Sequence, residues 1–356
     1  MSEPDYHLAI AGGGIVGAML AWRALRRCPE WRVLWLDRSM FGLGASAYGG
    51  GLLTPFGRSS AHKEILDSSF SLLPDLESDI GPLTFHELTA WYIGSPKAVN
   101  EHRESFIGTA PGLASAAEIK ELYNSMPGLR LGEADVVLGP FRTRRARPTE
   151  VIARVAAKCR STARFSLWEG VELETWHAES GGIRLALAGA PEVSATKLVL
   201  ATGAWGADVL GTSLIPRVRV KRVAACHIEE TPEPCAPLLY LGNHDSSLFP
   251  IPDERRWLFG FPSEVWDVKS EAFRPELDAA DRDLADSILD VYCPRLKAHR
   301  RGGRAFYDGY TENRTPVVTR VEDNFRVIFV GGCGGSGFRL SLGLAERCFD
   351  MLDMQN

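Results

Sequence analysis

The sequence predicts an α/β protein of about two domains, interleaved along the chain. Three observations carry this. Short apolar runs at residues 7–11, 197–201 and 325–330 lack polar alternation. Such runs read as strands covered on both faces of a parallel sheet. The first and last of them pass through glycine turns into helical apolar spacing, at 15–25 and 338–352. Between them, residues 81–138 break into short pieces with prolines and glycines, and Val218 to Glu229 alternates like a half-exposed strand. At 356 residues the chain is also long for one core.

The N-terminal turn carries the sharpest pattern. Gly12, Gly14 and Gly17 stand at G-x-G-x-x-G spacing between the first strand and its helix. Gly12 suits a sharp turn, Gly14 lets backbone approach a pyrophosphate, and Gly17 lets helix and strand pack closely. Ile15 and Val16 open the helix, whose free N–H groups and dipole favour phosphate. A second strand, Val33 to Leu36, ends at Asp37, twenty residues after Gly17, with Arg38 next. An acid there takes the ribose hydroxyls of an adenosine. These features predict a dinucleotide site. The loop that follows holds Ser46, Gly49, Gly50, Gly51 and Leu52. Its backbone N–H groups suit an anion or a flat ring.

The remaining elements follow in order. Ala61 to Glu77 reads as a helix, Thr84 to Ile93 as a strand, and Ala114 to Tyr123 as a helix with a Ser115/Glu118 capping box. Pro148 to Cys159 is a helix by its Val151, Ile152, Val155, Ala156 face. Ile183, Leu185 and Leu187 alternate as a strand, and the strand from Lys197 ends in Thr202-Gly203. Arg217, Arg219, Lys221 and Arg222 form a basic run, read as the solvated face of a strand with anion binding as the alternative. Leu248 to Pro262 is a hairpin around Asp253-Glu254, and Leu277 to Val291 is an acid-rich helix. The last strand ends in a second glycine-rich turn, 331–337.

Bulk properties exclude several classes. The net charge of −5 gives no general attraction to nucleic acid or to anionic membrane. No apolar run approaches a membrane span, and the acidic, polar N-terminus is not a secretory leader. Seven scattered cysteines without C-x-x-C predict reduced thiols in a cytoplasmic protein, with no metal site.

Four stretches in this order resemble the D-amino acid oxidase family of flavoproteins, which includes glycine oxidase and sarcosine oxidase. They are the fingerprint through Asp37, Gly44 to Leu53, Leu198 to Trp205, and Phe329 to Ser341. Arg147-Pro-Thr-Glu-Val-Ile resembles the start of the helix that joins the family's two halves. The resemblance implies FAD and a Rossmann-like FAD-binding domain interleaved with an antiparallel-sheet substrate domain. The expected division is 1–80, 139–205 and 301–356 for FAD, and 81–138 and 206–300 for substrate. It implies Gly12, Gly14, Ile15, Val16 and Gly17 at the pyrophosphate and Asp37 and Arg38 at the adenosine. Ser46, Gly49 to Gly51 and Leu52 would line pyrophosphate and flavin, with Val171 as a backbone adenine contact and Thr202 and Gly203 nearby. Gly334, Gly335, Ser336, Gly337, Phe338 and Arg339 would lie at the flavin's pyrimidine edge. Residues 306–312 lack the cysteine to which some sarcosine oxidase relatives attach FAD, which implies non-covalent FAD.

The implied chemistry is oxidation of the C–N bond of an amino acid or small amine by hydride transfer to the flavin, with oxygen as acceptor. Arg304 resembles the family's carboxylate-binding arginine, and Arg339 is the second candidate. Phe259 to Lys269 resembles a sarcosine oxidase stretch whose lysine lies over the flavin, although Lys269 falls one residue short of that spacing. The alternatives are an amine dehydrogenase, a flavin-binding partner subunit and a flavin monooxygenase. A homo-oligomer is also compatible with the sequence.

Overall fold

The computed structural model describes residues 3–206, 218–272, 274–321 and 324–353. In the first half of the chain lie β1 (Tyr6–Ala11), α1 (Ile15–Arg27), β2 (Val33–Asp37), α2 (Ala45–Tyr48), α3 (Ser60–Ile80), β3 (His86–Gly94), α4 (Pro96–Glu104), α5 (Ala116–Ser125), β4 (Val136–Arg145) and α6 (Pro148–Arg160). Then come β5 (Phe165–Glu169), β6 (Glu172–Glu179), β7 (Gly182–Ala188), β8 (Val193–Leu200), β9 (Val218–Ile228), β10 (Leu238–Leu241), β11 (Ser246–Ile251) and β12 (Arg256–Phe261). The rest comprises α7 (Ala279–Tyr292), α8 (Pro294–Lys297), β13 (Arg300–Thr311), β14 (Val317–Val321), β15 (Asn324–Gly331) and α9 (Gly337–Asp353).

The first sheet runs β14-β15-β8-β1-β2-β5, and β15, β8, β1, β2 and β5 are mutually parallel. Its strands are buried on both faces. Leu8, Ile10, Trp35, Val199 and Ile328 pack under α1, α3, α6 and α9. Ala9, Leu34, Leu36, Leu198 and Phe329 pack against the antiparallel β6 and β7. Two covered faces explain why these strands carry continuous apolar runs.

The second sheet runs β13-β9-β12-β11-β10-β3-β4. It is antiparallel except at one pair: β10 and β3 are parallel. No hairpin joins those two strands, so no turn forces them into opposite directions. One face packs on α7 through Ala285, Ile288, Leu289 and Tyr292. Arg222 of β9 is joined to Asp281 of α7 by two hydrogen bonds of 2.7 and 2.6 Å, both side chains being buried. The other face carries Phe141, Phe249, Leu258 and Tyr240 toward the first sheet's domain. Strands cross the expected domain boundaries at two places: residues 139–145 and 301–311 belong to this sheet.

The basic run on β9 is not a solvated face. Arg217 lies outside the described residues. Arg219 is half-exposed and paired with Asp267, but Lys221 and Arg222 are buried. Alternate residues of a strand point to opposite faces: Arg222 faces α7, while Lys221 lies on the face of Arg219 but under Trp266 and Tyr310. No helix is long and apolar enough to cross a membrane among the described residues.

Candidate active site

The site is built where β1, β8 and β15 end. Gly12 turns with a φ of 122°, and a Cβ there would lie 2.2 Å from the Ala201 carbonyl oxygen. A Cβ on Gly17 would lie 1.8 Å from the Gly12 oxygen. Only glycine at both positions lets α1 sit directly on the turn. Gly14 is the N-cap of α1 and offers no side chain to its free N–H groups. Ile15 N–H donates to Ser46 Oγ at 3.0 Å, and Val16 is half-buried in the same turn. An uncapped helix start walled by glycine fits a phosphate.

Asp37 lies at the edge of this turn. Its Oδ2 accepts Gly13 N–H at 2.6 Å and its Oδ1 accepts Ser39 N–H at 2.7 Å. Arg38 is exposed, its guanidinium 5.6 Å from the Trp205 ring. Val171 N–H donates to the Asp37 carbonyl at 3.0 Å, so this amide is engaged within the fold. Thr202 Oγ1 is buried with no hydrogen-bond partner among the described residues, and nothing lies within 4 Å of a Cβ placed on Gly203. This orphan hydroxyl and open space, beside the bare helix start, fit an adenine dinucleotide.

Two further walls complete the site. Gly50 lies against Phe249, and its carbonyl accepts from Arg145 Nε at 3.2 Å, while Leu52 bridges to Arg145. Gly49 and Gly51 flank it. In the second glycine turn, Gly334 N–H donates to the Gly309 carbonyl at 2.9 Å and Gly335 N–H to Asp308 Oδ2 at 2.8 Å. A Cβ on Gly337 would lie 3.9 Å from Ile15, so the starts of α1 and α9 adjoin. Phe338 is half-buried in the first turn of α9.

Arg339 projects from that turn. Its Nη1 donates to Thr54 Oγ1 at 2.7 Å and its Nη2 to Ser336 Oγ at 2.8 Å, with the guanidinium 5.2 Å from the Phe56 ring. Among the described residues its Nε has no partner and no carboxylate pairs with it. Burial draws its pKa down to about 10. His62 is 1% exposed, and neither ring nitrogen has a partner among the described residues. Burial, then the charges of Arg339 and Arg58, lower its pKa to about 4. His102 stacks on Tyr92 at 3.9 Å and is lowered to about 4 by burial first. Tyr240, hydrogen-bonded to Thr54, is pushed up by burial.

Arg304 is placed differently. Its Nη2 donates to the Tyr48 carbonyl at 2.7 Å, and the charges acting on it are Arg256, Glu254, Tyr48 and Arg145. Like Arg339, Arg304 has an Nε without a partner and no carboxylate within salt-bridge distance among the described residues. Lys269 is exposed. After β12 the chain pairs with β9, through a Lys221–Trp266 bridge and the Asp267 N–H to Val220 carbonyl bond. Lys269 follows this pairing by two residues. The buried lysine is Lys221.

The family described as DAO, FAD dependent oxidoreductase, matches the chain over residues 7–351. This chain belongs to that family. It is an FAD-dependent oxidoreductase, and the cradle around Gly12, Thr202 and Gly203 fits the cofactor that the family uses. Among solved structures, glycine oxidase from Geobacillus kaustophilus is 20% identical with a TM-score of 0.82, covering 99% of this chain and 96% of its own. L-proline dehydrogenase from P. horikoshii is 16% identical with a TM-score of 0.83, covering 99% and 94%. Fructosamine oxidase from Aspergillus fumigatus is 14% identical with a TM-score of 0.80, covering 100% and 88%. At these identities the likeness is one of fold. No curated protein matches the chain in sequence.

Sequence reasoning passed over Thr54, His62, Tyr240 and Asp308. The first three come from separate segments and carry no local motif. Asp308 lies within residues 306–312, the stretch read for its missing cysteine.

Proposed function

We propose that this chain oxidises the carbon–nitrogen bond of an amino acid or related small amine, with oxygen as the final electron acceptor. Arg339 carries the reading. It is a half-buried guanidinium, held by two hydroxyls, with no carboxylate partner among the described residues. A planar cation in that state suits an incoming carboxylate, which it can bind with two parallel hydrogen bonds. FAD, when bound, supplies the acceptor for the hydride that leaves the amine-bearing carbon. The protein supplies orientation and exclusion of water. Arg339 holds the carboxylate, and Phe56 and Tyr240 flank it. His62 and His102 are neutral near pH 7, so they leave the positive charge to the arginines. The oxidised substrate is an imine, which water hydrolyses to a carbonyl compound and ammonia.

We further propose that segments 1–80, 139–205 and 301–356 hold the cofactor and that 81–138 and 206–300 shape the substrate pocket, with β4 and β13 shared between them. FAD is bound without a covalent link. Residues 306–312 contain no cysteine, and the buried Cys333 thiol has its pKa raised by burial, which opposes the thiolate needed for attachment. Acid precipitation should release intact FAD into the supernatant; flavin left in the pellet would refute this.

Screening amines anaerobically for bleaching of the flavin tests the main reading. Bleaching by an amino acid supports it, and reduction only by a nicotinamide cofactor overturns it. The surface position of Lys269 favours a second reading, a dehydrogenase. Fast reoxidation by a dye with slow reoxidation in air would select it.

A further inference from the structure

Three cations on β9 have separate fates. Arg222 is engaged by Asp281 and Arg219 by Asp267. Lys221 is 8% exposed and has no carboxylate within salt-bridge distance among the described residues. Its Nζ lies 4.7 Å from the Trp266 ring and 5.7 Å from the Tyr310 ring. Burial lowers its pKa, and the charges acting on it are Glu264, Arg314, Asp245 and Arg58. Aromatic faces offset part of the cost of burying an ammonium, but an anion offsets more.

The surroundings are short of anions. Arg58, before α3, and Arg314, after β13, share one carboxylate, Asp245, at 3.8 and 3.6 Å. Arg58 acts on both Arg339 and Lys221, so the two cations share one charged neighbour. Asp245 and Glu264 are both exposed. Asp308 acts on Tyr310 in the same region, yet its oxygens are taken by the N–H groups of Gly309 and Gly335.

We propose that Lys221, with Arg314 and Arg58, forms a second anion subsite, and that the substrate is an amino acid whose side chain carries its own carboxylate. This rests on the reading of Arg339 as the receptor for the first carboxylate. The two anionic ends of such a molecule would each meet a cation that has no carboxylate within salt-bridge distance among the described residues. Trp266 and Tyr310 fix the lysine's direction.

Acetate and succinate separate the two subsites. The purified holoenzyme is titrated with each, following the visible flavin band. The expected result is tighter binding of succinate than of acetate by about tenfold or more. In Lys221→Met that preference should fall toward unity, while Lys221→Arg, which keeps the charge, should retain it. Equal affinities in the wild type, or an unchanged preference in Lys221→Met at full flavin occupancy, would overturn the second subsite and leave Arg339 in place. If neither carboxylate binds, the Arg339 reading fails and this inference falls with it. Anaerobic reduction by aspartate or glutamate faster than by alanine would add support, and the reverse order would count against it.

Discussion

Asp308 of β13 accepts the N–H of Gly335 at 2.8 Å, joining the second sheet to the turn that begins α9. Its other oxygen accepts Gly309 N–H at 2.8 Å. Asp308 is half-buried, and burial raises its pKa from 3.8 to about 6 against the pull of these two N–H groups. The fold therefore favours the protonated acid. The unfolded chain releases the proton first as pH rises, so this residue's contribution to stability declines from about pH 4 and is lost above about pH 6. Asp308→Asn keeps one acceptor and cannot ionise. Thermal midpoints measured across that window should fall less with rising pH in Asp308→Asn than in the wild type; parallel profiles would refute the assignment.

His62 acts with the opposite sign. Its pKa drops from 6.5 in the unfolded chain to about 4 in the fold, so the unfolded state binds the proton first as pH falls. Stability is lost between those two values on acidification. His62→Leu should remove part of that loss. The check is the denaturant midpoint at pH 7 and pH 4.5, wild type against variant. An equal drop in both proteins would show that His62 is not the group responsible.

The two candidate arginines separate in kinetics. Arg339→Ala should raise KM for a carboxylate-bearing amine and lower kcat/KM, by an amount corresponding to about 2–4 kcal/mol. Arg304→Ala removes a hydrogen bond to the Tyr48 carbonyl, and its effect on kcat/KM should be well below that of Arg339→Ala. A larger effect at Arg304 would return the carboxylate to the position first expected from the sequence.

Two glycines of the fingerprint should fail in different ways. A Cβ on Gly17 would lie 1.8 Å from the Gly12 carbonyl oxygen, so Gly17→Val should destabilise the protein itself. A Cβ on Gly14 meets only Ser46 Oγ, at 3.3 Å. Gly14→Val should fold, shown by a cooperative thermal transition, yet lose FAD. Full flavin occupancy in Gly14→Val would place the phosphates elsewhere.

Much of the architecture was legible because it rests on local chemistry. The strand-turn-helix at Gly12 to Gly17, the uninterrupted apolar strands, the Ser115/Glu118 capping box and the Asp253-Glu254 hairpin each follow from residues close in sequence. Short-range sterics and burial on two faces decide them, and the glycine motifs carried the family as well. The sequence alone did not decide the fate of single polar side chains. Lys221 and Arg222 looked like a solvated stripe, but β9 is an interior strand, and Trp266 and Tyr310 on one face and α7 on the other cover these two side chains. Lys269 was read from a motif, and its exposure could not be seen in that motif. Arg304 stood first and Arg339 second as carboxylate receptors, on resemblance alone. Both lack a carboxylate within salt-bridge distance among the described residues; what separates them is that Arg339 is held by the Thr54 and Ser336 hydroxyls and Arg304 by the Tyr48 carbonyl, groups brought together from distant segments. Desolvation and charge pairing are properties of a three-dimensional neighbourhood, so only the tertiary structure fixes them.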